Sequence, residues 1–180
     1  ESSLEATRFI SQPKLDGSAL SLEYRKGRLV RAATRGSGNR GEDVTKNARR
    51  VENVPHTLGV EVDVHIRGEV VMRKSTFEER YAEVSPNPRN LAAGALRQKK
   101  AEGKANASDL VFLAYDAKFP EESRRHPDSD PPPVVGNDSE ILSWLSETAG
   151  VTPAPWIITE SDEADELTIC LLYTSPSPRD

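Results

Sequence analysis

A lysine placed two residues before an Asp-Gly pair is the feature of this 180-residue sequence that is best suited to chemistry. The segment reads Lys14-Leu15-Asp16-Gly17. A neutral lysine amine can attack the phosphorus of a nucleotide and form a covalent intermediate. The segment also has a structural interpretation, because Asp-Gly between two runs of alternating apolar residues is a strong hairpin signal. Taken alone, the motif favours the turn.

Three later segments change this balance because of their residue types and their order. They are Thr34-Arg35-Gly36-Ser37-Gly38, Arg67-Gly68-Glu69-Val70 and Asn87-Pro88-Arg89-Asn90. A guanidinium can bind ribose or phosphate oxygens through several donors, and glycines let a backbone approach a ligand closely. Each segment has an ordinary alternative: a basic hairpin with a flexible turn, an exposed strand carboxylate and a solvated helix face. The ordered set, rather than any one member, carries the functional prediction.

The ordered set resembles the NAD-dependent DNA ligases over roughly residues 9–156. The lysine motif is shared with ATP-dependent ligases and capping enzymes, whereas the later segments are narrower. The resemblance implies a truncated α+β nucleotidyltransferase (adenylation) domain of the DNA ligase and capping-enzyme type, with antiparallel sheets flanked by helices. It also implies NAD as the AMP donor, Mg²⁺ to neutralise phosphate charge, and nicked double-stranded DNA as the partner.

The resemblance also assigns roles at the nucleotide. Lys14 would form a phosphoramidate with AMP, and Asp16 would lie near the ribose and support the lysine loop. The implied cofactor-binding residues are Gln12, Lys14, Arg35, Glu69 and Tyr115. Tyr115 would stack on adenine, although core packing is a close alternative for it. Gln12 stands where the family usually has a glutamate that recognises adenine, and it keeps an acceptor oxygen but not the charge.

Two arginines are assigned to DNA by the same resemblance. Arg89 and Arg97 are eight residues apart on a predicted helix, so they lie roughly on one side of it. Their family segment approaches the DNA backbone at the nick. A second departure from the family is Ser37, where aspartate is more common.

Two alternatives stay open, one because the lysine motif is shared with other nucleotidyltransferases and one because no lysine follows Lys118. In the family, later lysine motifs supply cations around the transferred phosphate. One alternative is an ATP- or GTP-dependent nucleotidyltransferase, such as an RNA ligase or a capping enzyme. The other is a catalytically incomplete nucleotide- or DNA-binding fragment. The isolated chain is therefore expected to be inactive or severely impaired, while the parent protein is expected to be a DNA ligase.

Composition limits the class of protein. A net charge of -5, with 29% charged and 36% hydrophobic residues, indicates a soluble globular protein. The single cysteine, Cys170, excludes an internal disulfide, and the histidines lack zinc-site spacing. No apolar run is long enough to cross a bilayer, and the first residues lack signal-peptide features. We expect a cytoplasmic monomer without a membrane partner.

Local patterns predict the elements that would position these residues. Three consecutive antiparallel strands are expected near 9–13, 19–24 and 29–34, with further β structure at 62–72 and 110–115. Helices are expected at 42–51, from a capping box at Ser75 through Val84, from Asn87 through Lys100 with a stop at Gly103, and at 139–148 ending at Gly150. Residues 1–168 are expected to form the partial adenylation domain, with an exposed Pro/Asp-rich loop at 120–138 and a non-native tail at 169–180.

Overall fold

A computed structural model describes residues 8–35, 41–99, 104–121 and 136–160. The chain divides into a larger compact unit, Leu15–Pro153, and a smaller one drawn from Glu1–Lys14 and Ala154–Asp180. The described strands are β1 (Arg8–Ser11), β2 (Ser18–Arg25), β3 (Arg28–Thr34), β4 (Val64–Met72), β5 (Leu110–Lys118) and β6 (Ile157–Glu160). The described α-helices are α1 (Thr45–Ala48), α2 (Lys74–Arg80), α3 (Pro88–Arg97) and α4 (Asp138–Glu147).

The larger unit is built on a four-stranded antiparallel sheet in the order β3-β2-β4-β5. Successive side chains on a strand point to opposite faces, so each strand contributes to both sides of the sheet. On β2, Leu20, Leu22 and Tyr24 are buried, whereas the residues between them are partly exposed. Ile66, Val70 and Phe112 extend this buried face across β4 and β5. One face therefore carries the core and the other remains open.

The turn between β2 and β3 follows its sequence signal. Lys26 and Gly27 have φ values of 47° and 69°, which suits a two-residue hairpin turn whose backbone twist matches that of the strands. A Cβ on Gly27 would lie 2.4 Å from the carbonyl oxygen of Val60. Glycine is therefore required here both for conformation and for space.

The prediction of three consecutive antiparallel strands is wrong for the first of them. β1 pairs with β6 in the smaller unit, while β2 pairs with β3 and β4. Asp16-Gly17 is thus not the turn of a hairpin, which removes the structural alternative for the lysine motif. Instead, Gly17 lies tightly against β4, where a Cβ would come 2.2 Å from the carbonyl oxygen of Val70.

The first two helices are shorter than predicted. The helix expected from residue 42 begins only at Thr45, because Glu42 and Asp43 pair with β3 instead. The Thr34 amide donates to the Glu42 carbonyl at 3.0 Å, and Asp43 forms an antiparallel bridge with Ala33. The predicted capping box at Ser75 does not form. The helix starts at Lys74, because Arg73 leaves β4 in an extended conformation and takes the cap position without a side-chain hydrogen bond. It ends at Arg80 rather than at Val84, so it is shorter overall.

Helix α3 confirms its predicted start and ends earlier than expected. The Asn87 side chain accepts hydrogen bonds from the amides of Arg89 and Asn90, and Pro88 is the first helical residue. At the other end, the buried Asn47 amide donates to the carbonyls of Leu96 and Gln98 at 2.8 and 2.7 Å. These bonds satisfy carbonyls at the end of the helix, so α3 stops at Arg97. The predicted stop at Gly103 lies outside the described residues.

The remaining elements of the larger unit agree closely with the sequence. β5 covers the predicted strand and extends it to Lys118. Helix α4 begins after an Asn137 cap, and Gly150 adopts a φ of 71° shortly after it ends. Most of the predicted loop at 120–138 and the whole predicted tail at 169–180 lie outside the described residues, as does Cys170. None of the described helices has the length and apolarity needed to cross a bilayer.

Candidate nucleotide-binding site

The open face of the four-stranded sheet brings together polar residues from two neighbouring strands, β4 and β5. Glu69 lies on β4, directly opposite Leu113 of β5 and Ala19 of β2. Arg67, two residues earlier on β4, forms an ion pair with Asp116 of β5 at 3.7 Å. The β4–β5 register shifts between Arg67 and Gly68, and Tyr115 is the additional residue that this bulge inserts into β5. A bulge often redirects a side chain next to a functional site.

Tyr115 belongs to the open face rather than to the core. Its side chain is 36% exposed, which disfavours the core-packing interpretation of this residue. Partial burial raises the pKa of its phenol, and the negative charge of Glu69 raises it further, while Arg67 and Arg35 act in the opposite direction. The phenol therefore lies within electrostatic reach of the predicted nucleotide residues Glu69 and Arg35.

This electrostatic coupling can be tested by substitution. Replacing Glu69 with glutamine removes a negative charge that opposes ionisation of the phenol, so we expect the pKa of Tyr115 to fall. NMR titration of ring-labelled tyrosine, assigned with a Tyr115→Phe variant, measures the change. Glu78→Gln, an exposed carboxylate on α2, is the matched control and should leave the Tyr115 pKa unchanged. An unchanged pKa in Glu69→Gln would contradict the proximity of the two groups.

The glycine before Glu69 has a structural role. A Cβ on Gly68 would lie 2.4 Å from the carbonyl oxygen of Leu113 and 2.6 Å from ring atoms of Phe112. Because glycine has no side chain, β4 and β5 can approach closely at the bulge. The Arg-Gly-Glu segment therefore combines one residue needed for packing with two charged residues on the open face.

Arg35 lies at the base of the glycine-rich segment. It is exposed and directly follows β3, and residues 36–40 after it lie outside the described residues. The hydrogen bond between Thr34 and Glu42 closes the two ends of this segment. A Cβ on Gly41 would lie 2.2 Å from the Thr34 carbonyl oxygen, so this close approach also requires glycine. The segment thus starts and ends next to the edge strand of the sheet.

The lysine motif is divided between the two units. Lys14 is exposed and belongs to the smaller unit together with Gln12, whose side-chain nitrogen Nε2 is buried without a hydrogen-bond partner. Asp16 and Gly17 belong to the larger unit. There, the Asp16 carboxylate lies 3.3 Å from Nη1 of Arg89, the second residue of α3. The sequence did not predict this contact.

Comparison with known protein families identifies the family of this chain. Residues 2–133 match the family model described as NAD-dependent DNA ligase adenylation domain. The chain belongs to this family. The matched residues include the lysine motif, Arg35, Glu69, Tyr115 and both predicted DNA-binding arginines. The resemblance inferred from the sequence is therefore confirmed, and membership implies NAD as the AMP donor.

Three curated relatives named DNA ligase are similar to this chain. The protein of Rhodopseudomonas palustris strain BisA53 is 46% identical over 121 residues, which cover 62% of this chain and 17% of that protein. The protein of Campylobacter concisus is 50% identical over 118 residues, covering 62% and 18%. The protein of Natranaerobius thermophilus is 43% identical over 118 residues, with the same coverage. The aligned region thus spans less than a fifth of the length of these ligases.

Sequence reasoning missed two asparagines that position the adenylation-domain residues. Asn53 pairs with the backbone of Phe112 in both directions, donating to its carbonyl and accepting from its amide at 2.7 Å. It therefore fixes β5 three residues before Tyr115. Asn47 fixes the end of α3, as described above. An asparagine that follows no recognisable turn or cap pattern gives no signal of such distant backbone partners.

The two arginines assigned to DNA pair with carboxylates of the adenylation domain. Arg89 contacts Asp16, and Arg97 lies 3.6 Å from Glu42. All four side chains are about half exposed. Among the residues that the structure describes, no group of three or more His, Cys, Asp or Glu side chains could hold a metal ion.

Proposed function

We propose that this chain is part of the nucleotidyltransferase fold of an NAD-dependent DNA ligase, and that Lys14 accepts AMP from NAD. The observation that carries the proposal is the open sheet face on which Glu69, Tyr115 and Arg67 lie, within electrostatic reach of Arg35. A half-exposed aromatic ring beside both signs of charge suits a base, a ribose and a phosphate together. Membership of the adenylation-domain family supplies the identity of the nucleotide.

Each proposed nucleotide contact uses a specific property of the side chain. The ring of Tyr115 stacks on adenine, Glu69 accepts hydrogen bonds from ribose hydroxyls, and Arg35 donates to ribose or phosphate oxygens. Gln12, which belongs to the smaller unit, keeps an acceptor oxygen in place of the family's glutamate, and we assign adenine recognition to it on that resemblance. These properties fit the adenylate half of NAD.

The proposed reaction has three steps. The Lys14 amine attacks the α-phosphorus, a P–N bond forms, and nicotinamide mononucleotide leaves as the P–O bond to it breaks. An oxygen of the 5′-phosphate at the nick then attacks the phosphorus of the adduct, and the P–N bond breaks to free Lys14. Finally, the 3′-hydroxyl attacks the 5′-phosphate and displaces AMP, which forms the phosphodiester. Mg²⁺ would neutralise charge on the phosphates, which a magnesium ion can do while it keeps several waters and few protein ligands.

We propose nicked double-stranded DNA as the partner, with Arg89 and Arg97 directed to its backbone. Both guanidiniums are exposed and lie on one helix, where they can donate to phosphate oxygens. The similarity to proteins named DNA ligase supports this partner. We also propose that the ligase acts as a monomer in the cytoplasm.

The proposal is tested on a full-length ligase that carries this segment. The protein is incubated with Mg²⁺ and NAD labelled in its adenylate phosphate, then digested and analysed by mass spectrometry. We expect the label on the peptide that contains Lys14, and NAD labelled in its nicotinamide half should leave none. Unlabelled NAD should suppress labelling, whereas equal concentrations of ATP or GTP should not. A label on another residue, or suppression by ATP, would contradict the proposal.

A further inference from the structure

The contact between Asp16 and Arg89 joins two segments that are 73 residues apart in the sequence. Nη1 of Arg89 lies 3.3 Å from Oδ1 of Asp16, and the two side chains are 57% and 51% exposed. The contact connects the nucleophile motif with the start of α3. It therefore links the segment proposed to react with NAD to the helix proposed to contact DNA.

Both partners of this ion pair are held by firm backbone contacts. Asp16 directly precedes Gly17, whose α-carbon leaves no space for a side chain beside Val70 of β4. Arg89 lies in the first turn of α3, where the Asn87 side chain accepts a hydrogen bond from its amide at 2.9 Å. Asn47 fixes the opposite end of the same helix. The pair is thus set by the sheet and the helix rather than by two free loops.

Stability does not explain an arginine at this position. Exposed ion pairs contribute little to folding. A cation in the first turn of a helix is also unfavourable, because that end of the helix carries partial positive charge. The carboxylate of Asp16 offsets this unfavourable interaction with the helix dipole. No such compensation would be needed if the helix began with a neutral residue. The arrangement is better suited to orienting Asp16.

We propose that Arg89 is a positioning residue for the first step, in which it holds the Asp16 carboxylate and thereby orients the nucleophile motif before DNA is bound. This inference rests on the proposed function and adds to it a role for Arg89 that requires no DNA. When a nick binds, a backbone phosphate can take over the same guanidinium. Arg89 would then hold Asp16 during adenylation of Lys14 and contact a DNA phosphate in the later steps.

The first step can be measured separately because it requires only the ligase, Mg²⁺ and NAD. In the full-length ligase without DNA, we expect Arg89→Ala to lower the single-turnover rate of Lys14 adenylation by at least about tenfold, with little change in the NAD concentration at half-maximal rate. Arg89→Lys keeps the charge and should recover part of the rate. In a double-variant cycle, Arg89→Ala should slow an Asp16→Asn enzyme far less than it slows the unmodified enzyme.

Arg73→Ala is the matched control. Arg73 forms a similarly exposed ion pair with Glu52, at 2.7 Å with 53% and 54% exposure, and neither residue belongs to the nucleophile motif or to α3. Its loss should leave adenylation unchanged. Wild-type adenylation in Arg89→Ala, with only nick binding or sealing impaired, would overturn the inference and leave the proposed function intact. Failure of the unmodified ligase to adenylate would instead count against the proposed function.

Discussion

A full-length ligase with Lys14→Arg is expected to form no covalent protein–AMP adduct and to lose at least about ten-thousandfold of its nick-sealing rate. Arginine preserves the positive charge and most of the length of the side chain. Its guanidinium stays protonated at all accessible pH values and has no free nitrogen lone pair for attack on phosphorus. The substitution therefore separates the chemistry of the amine from the charge at the site.

The reaction on a pre-adenylated nick provides the internal comparison. There, AMP is already attached to the 5′-phosphate, so the ligase needs no acceptor lysine and the Lys14→Arg variant should still seal the strand. Adduct formation is followed by gel labelling, and sealing by extension of a labelled strand. Lys46→Arg, at an exposed position on α1, should behave like the unmodified enzyme in both assays. An adduct in Lys14→Arg would show that another residue accepts AMP.

Elements with strong local signals could be predicted from the sequence. Lys26-Gly27 forms its hairpin, and Asn87-Pro88 starts α3, because each depends on residues within one turn of the chain. The capping-box prediction at Ser75 failed although its spacing was correct. The end of β4 at Met72 fixed the start of the helix instead. Neighbouring tertiary structure therefore decided the boundary.

Long-range pairings could not be predicted in the same way. β1 has only four residues, and its alternation does not distinguish β2 from β6 as a partner. Likewise, the sequence identified Asp16 and Arg89 separately but gave no sign that their side chains meet. For Tyr115, a strand position allowed either core packing or ligand contact. The bulge, which depends on β4 as well as β5, places the ring on the open face.

Gly17→Ala is expected to have the largest effect on stability among substitutions in the lysine motif. A Cβ at this position would lie 2.2 Å from the Val70 carbonyl oxygen and 2.8 Å from Cγ1 of Val71. The backbone oxygen cannot move away without disturbing the β2–β4 pairing at Ser18 and Val70. We expect the free energy of unfolding to fall by about 2–4 kcal/mol. The displaced segment should also misplace Asp16, so adenylation of the full-length ligase should fall as well.

Gly94→Ala is the control, for which we expect the free energy of unfolding to change in the opposite direction. Gly94 lies inside α3, and a Cβ there would meet nothing within 4 Å. Alanine in a helix interior is more favourable than glycine by roughly 0.5–1 kcal/mol, so this variant should be slightly more stable. Chemical denaturation of the 180-residue chain measures both variants. Equal stability of Gly17→Ala and the unmodified chain would mean that the segment can leave β4 at no cost, and tight backbone packing could then not be what orients the nucleophile motif.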